Sequence, residues 1–495
     1  IFQRGTYEGV PAKHTENFQE RTWKKNKVVP DLETAIRSTG LQDGMTISFH
    51  HHFRNGDHIV NQVVDTLAHM GFHDLTLAAS SLSSVHAPLI EHIKNGVITH
   101  IETSGLRGEL AEQISRGLMD CPVVFRSHGG RAAAISSGGL HIDVAFLGAP
   151  SCDPYGNANG YSRDDSQLAC GSLGYARTDA KYADKTVILT NHLVRYPNAP
   201  WAIPEDNVDC IVLLDDIGDP AGIMSGATRY TKNPKELLIA QTAARVIDAA
   251  GYLYDGFSMQ MGSGGASLAT ARFIREMMLE RQLHCRFALG GITGQIAAMH
   301  EEGLIDRILD VQSFDLDAAL SLKKNRFHHQ IDAAYYASYL SAAAVNQLDF
   351  VILSALEIDQ DFNVNVLTGS DGVIRGAIGG HPDTAAGASL SVVVAPLTRG
   401  RIPTVIEHVN TVVTPGDTVD VVVTDQGVAV NPKRPEVAER LRGAGLPVVS
   451  IQTLKDRAEA LVGKPEPIRY KDRVVGLVLY RDNTVIDVVR QIDET

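Results

Sequence analysis

The chain has 495 residues, too many for one ordinary hydrophobic core, so two or more domains are expected. With 44% hydrophobic and 21% charged residues it reads as globular rather than disordered. Its 45 basic and 58 acidic residues leave a net charge of −13, which argues against nucleic acid or an anionic membrane as main partner.

Residues 1–30 are polar and aperiodic, with a basic cluster at Lys24, Lys25 and Lys27, and are expected to form a surface arm. The chain opens on Ile1 rather than methionine, so residues are expected to be missing upstream; the N-terminus lacks the apolar core of a signal peptide. No run of 18 apolar residues occurs. Five cysteines without a C-x-x-C pair suit a reducing compartment, so a cytoplasmic protein is expected. From Asp31 the pattern predicts a short helix, a turn at Asp43-Gly44 and a strand over Met45–Phe49. The run His50-His51-His52-Phe53-Arg54 follows, then a helix through Met70 and a strand over Leu75–Ala79.

Asn233 followed by Pro234 reads as the cap and first turn of a helix over Lys235–Ala250, which places a boundary near Thr231. Phe257–Met261 is predicted as a strand, followed by Gly262, Ser263, Gly264 and Gly265, a helix of about 16 residues, and a strand ending at Leu289-Gly290-Gly291. A strand, a glycine turn and a helix place free N–H groups and a positive helix end at the sheet's carboxyl edge, where open α/β sheets bind ligands. The spacing GSGG is not a dinucleotide fingerprint, so plain connection chemistry remains an alternative. Continuous apolar runs such as VAFLG, CIVLL and SVVVA predict strands covered on both faces. The alternating C-terminal stretch with an Asp482-Asn483 turn predicts a closing hairpin.

The two regions resemble each other. The segments from Asp43 and from Asp255 share one order of elements at a shift of 212. The segments from His141 and from Gln347 align without a gap, pairing Asp143 with Asp349, Asp153 with Asp359, Asn157 with Asn363 and Asn159 with Asn365 at a shift of 206. A third block pairs Val208 with Val419 at 211. The reading is therefore α/β, with two tandem homologous open-sheet domains. The polar arm covers 1–30, the first domain 31–230, and the second domain, with the C-terminal hairpin, 231–495.

The stretches SFHHHFRNGDH (48–58), GAPSCDPYGNANG (148–160), DGFSMQMGSGG (255–265), LEIDQDFNVNV (356–366) and GAIGGHPDTAAGAS (376–389) resemble the coenzyme A transferase superfamily, of the sugar-phosphate isomerase-like fold. More narrowly the chain resembles citrate lyase alpha chains over essentially its full length. The resemblance implies a transferase that turns an acetyl thioester plus citrate into a citryl thioester plus acetate. The thioester is carried on CoA, or on the CoA-like arm of an acyl carrier protein, and no tightly bound cofactor is implied. It also implies an oligomer with acyl carrier (gamma) and lyase (beta) subunits as partners. Many such transferases use a glutamate as acyl-enzyme nucleophile; carried onto this chain, that slot falls at Gln295, a carboxamide. This agrees with a ternary complex and a mixed anhydride, without covalent enzyme–CoA.

That chemistry needs alignment of two reactants and stabilisation of an oxyanion. Gly379 and Gly380 are candidates for the oxyanion hole, because bare backbone N–H groups approach a small anion closely. Gly262, Ser263, Gly264 and Gly265 would line the path of the thioester arm. Glu357 follows an apolar strand and is a candidate orienting group or nucleophile, or an edge carboxylate bonding the next loop. Asp359, Asn363 and Asn365 recur in the other copy, which favours loop shaping. Citrate carries carboxylates that call for clustered donors, and His50, His51, His52 and Arg54 supply them at a predicted ligand edge. Arg107 and Arg126 are further anion-binding candidates or solvated surface. No spacing resembles a metal motif. A thioester hydrolase on the same scaffold, and a non-catalytic ligand sensor, are the alternatives.

Overall fold

Asp31 caps the first helix, Leu32–Thr39, by accepting from the Thr34 N–H, and Gly40 closes it in the left-handed region at φ 75°. From there the computed structural model, which describes residues 26–162, 169–224 and 231–493, builds two sheets with one strand order. In the first sheet Cys210–Leu213, Lys185–Thr190, Val144–Gly148, Thr46–Phe49, Leu75–Ala79, Ile98–Thr103 and Val123–Phe125 lie side by side. In the second, Val421–Thr424, Leu390–Val394, Phe350–Ser354, Phe257–Met261, Cys285–Ile292, Ile308–Ser313 and His328–Gln330 repeat that order. All of these neighbours pair in parallel. The α/β class and the tandem open sheets read from the sequence hold.

The aspartates shared by the two copies make the same bonds. Asp143 accepts from the Thr46 N–H, and Asp349 from the Ser258 N–H, both at 2.8 Å. Asp43 accepts from His73, and Asp255 from His284, again at 2.8 Å. Each carboxylate satisfies an N–H where a neighbouring strand begins, a group that would otherwise lack a partner. The apolar runs are core: every residue of Val144–Gly148 and Leu390–Val394 is buried, each large apolar side chain contributing about 1.5–3 kcal/mol.

Both ends of the chain depart from the sequence reading. Residues 1–25, with Lys24 and Lys25, lie outside the described residues, but Val28–Val29 form an edge strand beside Cys210–Leu213 rather than a surface arm. The C-terminal hairpin, Tyr470–Leu479 and Val485–Ile492, joins the first sheet instead of the second, with Gly476–Val478 parallel to Val123–Phe125. The reason lies in the two matching edges. Val123-Val124-Phe125 is an apolar edge that needs cover, whereas its counterpart of equal length, His328-His329-Gln330, is polar.

Candidate functional site

Both sheets change direction at equivalent places. The chain leaves Thr46–Phe49 to build one side of its sheet and returns at Val144–Gly148; Phe257–Met261 and Phe350–Ser354 do the same. Carboxyl ends at such switch points are where open sheets hold ligands. A cavity of about 650 Å³ opens there, lined by residues of both halves. The halves are joined around it: Ile378 N–H donates to the Ser104 carbonyl at 2.7 Å, and Leu106 N–H to the Gly376 carbonyl at 3.0 Å.

One wall is cationic. Arg54, Arg107 and Arg375 line it, and among the described residues no aspartate or glutamate does. Arg54 follows the first switch-point strand with φ 55°, a backbone conformation that costs a non-glycine residue energy. Its guanidinium lies 4.7 Å from the centre of the Phe314 ring, and donates to the Ile223 carbonyl at 3.0 Å. Burial brings its pKa down to about 10, with repulsion from Arg107 adding to it. Arg107 is half-buried, and among the described residues its guanidinium has no hydrogen-bond or ion-pair partner. Burial lowers its pKa too. Arg375 is held at the wall by Asp371.

The facing wall is neutral and rich in donors. Gly379, at φ 57°, and Gly380 precede the helix His381–Gly387. The Gly379 carbonyl accepts from the His128 N–H at 2.9 Å, while the amides of Gly379 and Gly380 have no acceptor among the described residues. The His128 ring meets the Tyr175 hydroxyl through Nδ1 at 2.5 Å and Ser104 Oγ through Nε2 at 3.3 Å. Ser104 spends its own proton on the Ser80 carbonyl at 2.5 Å, so the His128 Nε2–H donates to Ser104 and Tyr175 donates to Nδ1. Burial, with Arg131 adding to it, holds His128 down to about 3, a neutral ring. Gln260 donates to the Tyr336 hydroxyl at 2.9 Å.

A family model described as citrate lyase, alpha subunit (CitF) matches residues 25–492. The chain belongs to the citrate lyase alpha-subunit family. It is 58% identical over 480 residues to the citrate lyase alpha chain of Escherichia coli (strain K12), covering 97% of this chain and 94% of that one. It is 58% identical to the Klebsiella pneumoniae protein of the same description, covering 98% and 95%. The crystal structure of the putative alpha subunit of citrate lyase from Streptococcus mutans, in complex with citrate, superposes with a TM-score of 0.93 at 56% identity, over 96% of this chain and 92% of that one. The malonate decarboxylase alpha subunit of Acinetobacter baumannii, at 15% identity and a TM-score of 0.64, over 92% of this chain and 96% of that one, shares the fold. The enzyme class inferred from the resemblance, a transferase, stands, as does the CoA-transferase-like fold. No helix among the described residues is long and apolar enough to cross a membrane.

Against this citrate lyase alpha-subunit architecture the expected site residues divide. Gly262, Ser263, Gly264, Gly379, Gly380, His51, Arg54 and Arg107 line the cavity. Gly265 begins the helix Gly265–Arg281 behind it. His51 is committed to protein on both sides, to Ser80 Oγ at 2.5 Å and Gln312 Nε2 at 3.2 Å. His50 and His52 are buried away from the lining. His52 Nδ1 lies 3.1 Å from Asp57 Oδ1, and Asp57 Oδ2 lies 3.2 Å from His86 Nε2, so this part of the histidine run braces the turn.

Three expected residues point elsewhere. Glu357 pairs in a two-residue strand with Asn365, and its carboxylate accepts from Asn365 Nδ2 at 2.8 Å, the Asn410 N–H at 3.0 Å and Asn410 Nδ2 at 2.6 Å. It is buried and is not among the residues lining the cavity, and these bonds are those of an edge carboxylate holding the next loop. Arg126 pairs with Glu102 at 2.7 Å and donates to Asn483 Oδ1 at 2.5 Å, so it fastens the C-terminal hairpin to the first sheet. Gln295 lies in the first turn of Gly294–Glu301, outside the cavity, its carboxamide set against the Leu268 carbonyl and the Arg272 N–H of the neighbouring helix, both of which a flipped amide would bond. The repeated loop residues take the shaping role: Asp153 accepts from Asn157 Nδ2 at 2.9 Å, and Asp359 from Asn363 Nδ2 at 3.1 Å. His128, Tyr175, Gln260 and Tyr336 were not singled out from the sequence, where no motif marks them.

Proposed function

We propose that this cavity exchanges acids on a thioester, turning an acetyl thioester and citrate into a citryl thioester and acetate. The observation that carries the reading is the lining charge: among the described residues, three arginines and no carboxylate, in a chain of net charge −13. Arg54 offers a planar donor fork suited to a carboxylate, and among the described residues Arg107 has no anion paired with it. The Streptococcus mutans relative was crystallised in complex with citrate, which supports the same acid here.

An ionised citrate carboxylate needs no general base to attack the acetyl carbonyl. The protein's task is alignment of the two reactants and stabilisation of the developing oxyanion. The amides of Gly379 and Gly380 are free to receive that oxyanion. Gly262, Ser263 and Gly264, at the start of the helix Gly265–Arg281, fit the path of the thioester arm, CoA or the CoA-like arm of an acyl carrier protein. Collapse of the adduct expels the thiolate and leaves a mixed anhydride; the thiolate then attacks the citryl carbonyl and acetate departs. A ternary complex fits a cavity whose lining, among the described residues, contains no aspartate, glutamate or cysteine to become acylated. The corresponding assembly includes an acyl carrier subunit, a lyase subunit that consumes the citryl thioester, and an oligomeric arrangement of this chain.

Mass spectrometry of the full chain with acetyl-CoA or an acetyl-acyl carrier, with and without citrate, tests this. A citryl thioester formed only with citrate is the expected result. Thiol release at the same rate without citrate would replace the transferase by a thioester hydrolase.

A further inference from the structure

We infer that the Tyr336 hydroxyl is a catalytic donor of the oxyanion site, acting beside the Gly379 and Gly380 amides and aimed by Gln260. The inference rests on the reading of the cavity as a thioester site and names a side chain for its chemistry.

Tyr336 belongs to the helix Ala333–Ala337 and is buried, yet it lines the cavity, and its hydroxyl lies against Gly380, another lining residue. Gln260 Nε2 donates to that oxygen at 2.9 Å. The hydroxyl's own proton has no acceptor among the described residues. A phenol that already accepts one hydrogen bond and has a spare proton can direct it only into the cavity. Burial, the principal cause, raises its pKa well above the ordinary tyrosine value, so it donates without being ionised.

The neighbours are built to fit this hydroxyl. A Cβ on Gly380 would lie 2.5 Å from Tyr336 Oη, so the phenol occupies the space that any larger residue would take. Gln260 is itself made room for by Gly290, at φ 97°, where a Cβ would lie 2.6 Å from the Gln260 carboxamide carbon. That glycine sits at a register shift in the strand Cys285–Ile292. Among the described residues Gln260 Oε1 is buried without a partner, and the carboxamide is fixed only through its donation to Tyr336. Gln260 is thus a positioning residue.

In the step concerned, a citrate carboxylate oxygen forms a bond to the acetyl carbon and the carbonyl π pair moves onto oxygen. The Tyr336 O–H and the glycine amides hydrogen-bond that oxyanion, with no proton transferred. The pair returns as the carbon–sulfur bond breaks and the thiolate leaves, so atoms and charge balance. The same donor acts on the acetyl carbonyl whether citrate or water attacks.

The test measures acetyl-thioester consumption by the full chain and its Tyr336→Phe and Gln260→Glu variants, each checked for an unchanged unfolding midpoint. Loss of one oxyanion donor is expected to lower kcat by roughly 10²-fold, with both KM values within about threefold. Gln260→Glu converts the donor into an acceptor that captures the tyrosine proton, and is expected to lower kcat without adding to the Phe effect in the double variant. A merely structural tyrosine would move the midpoint or KM instead. A Tyr336→Phe enzyme with kcat within twofold of the parent would overturn the inference, and so would additive losses. The acceptor identified in the product, citrate or water, decides the transferase reading separately.

Discussion

The His128 backbone N–H donates to the Gly379 carbonyl at 2.9 Å, across the junction between the first sheet's half and the second's. The same junction is fixed by Asp383, which accepts from Ser127 Oγ and the Gly129 N–H, both at 2.9 Å. The glycines proposed to hold the oxyanion are therefore positioned by the other half of the chain. Asp383→Ala leaves these two donors without their acceptor at a buried site, at a cost of about 1–3 kcal/mol each. A lower unfolding midpoint together with a lower kcat is expected, with Asp383→Asn intermediate; calorimetry and initial rates on the same samples check it. The expected fall in midpoint with an unchanged kcat would separate the junction from the chemistry.

Arg54 is the residue to alter for citrate recognition. Lysine keeps the charge but loses the planar fork and the packing over Phe314. A lost charge-assisted bond of about 1.5–3 kcal/mol corresponds to roughly a 10- to 100-fold rise in KM. Arg54→Lys is expected to raise KM for citrate by that amount while leaving KM for the acetyl thioester within a few-fold. Steady-state rates varying each substrate in turn measure it, and an equal rise for both would remove Arg54 from citrate binding.

How far the sequence led can be judged from Glu357 and Tyr336. The repeat was legible because it is written locally, in apolar runs and in aspartates that cap strand starts. The glycine turn and the Gly379-Gly380 pair were legible for the same reason, as short stretches with one backbone meaning. Which way a polar side chain turns at a sheet edge is not local. Glu357 faces inward because its short strand pairs with Val364–Asn365, a partner eight residues away in a register no periodicity reveals. Tyr336 and Gln260 come together over 76 residues of chain, and His128 meets Tyr175 across 47. The histidine run reached the site only in part, since a tight turn sends His52 toward Asp57 and leaves His51 at the cavity.

Glu357→Gln follows from that inward orientation. The carboxylate accepts three hydrogen bonds, and a carboxamide would oppose one donor with another. A destabilisation of about 1–3 kcal/mol is expected, with kcat within a few-fold of the parent below the unfolding transition. Borohydride treatment after incubation with acetyl-CoA is expected to leave Glu357 unmodified in the parent chain. A reduced glutamate at this position would restore the acyl-enzyme mechanism.

The buried histidines set the acid limit of the fold. Burial holds His50 and His128 down to about 3 and His381 down to about 4, against an unfolded value of about 6.5. Between about pH 6.5 and 4 the unfolded chain therefore binds protons on these rings that the folded chain does not. Their stabilisation is complete above pH 6.5 and is lost as the pH falls, by about 1.4 kcal/mol per pH unit per ring. Asp383 acts in the opposite sense: burial pushes its carboxyl up to about 6, so folding gains from its protonation as pH falls from about 6 toward 4. Burial also lowers His51 and His329 and raises Glu357 and Asp420; five rings against three carboxyls leave a net loss, and the unfolding midpoint is expected to drop steadily from pH 6.5 to pH 4.5. His381→Gln removes one titrating ring and is expected to flatten that slope by about one ring's share. Thermal unfolding across the pH series decides it; a midpoint that stays level over this range would mean that the rings titrate alike in the folded and unfolded chain.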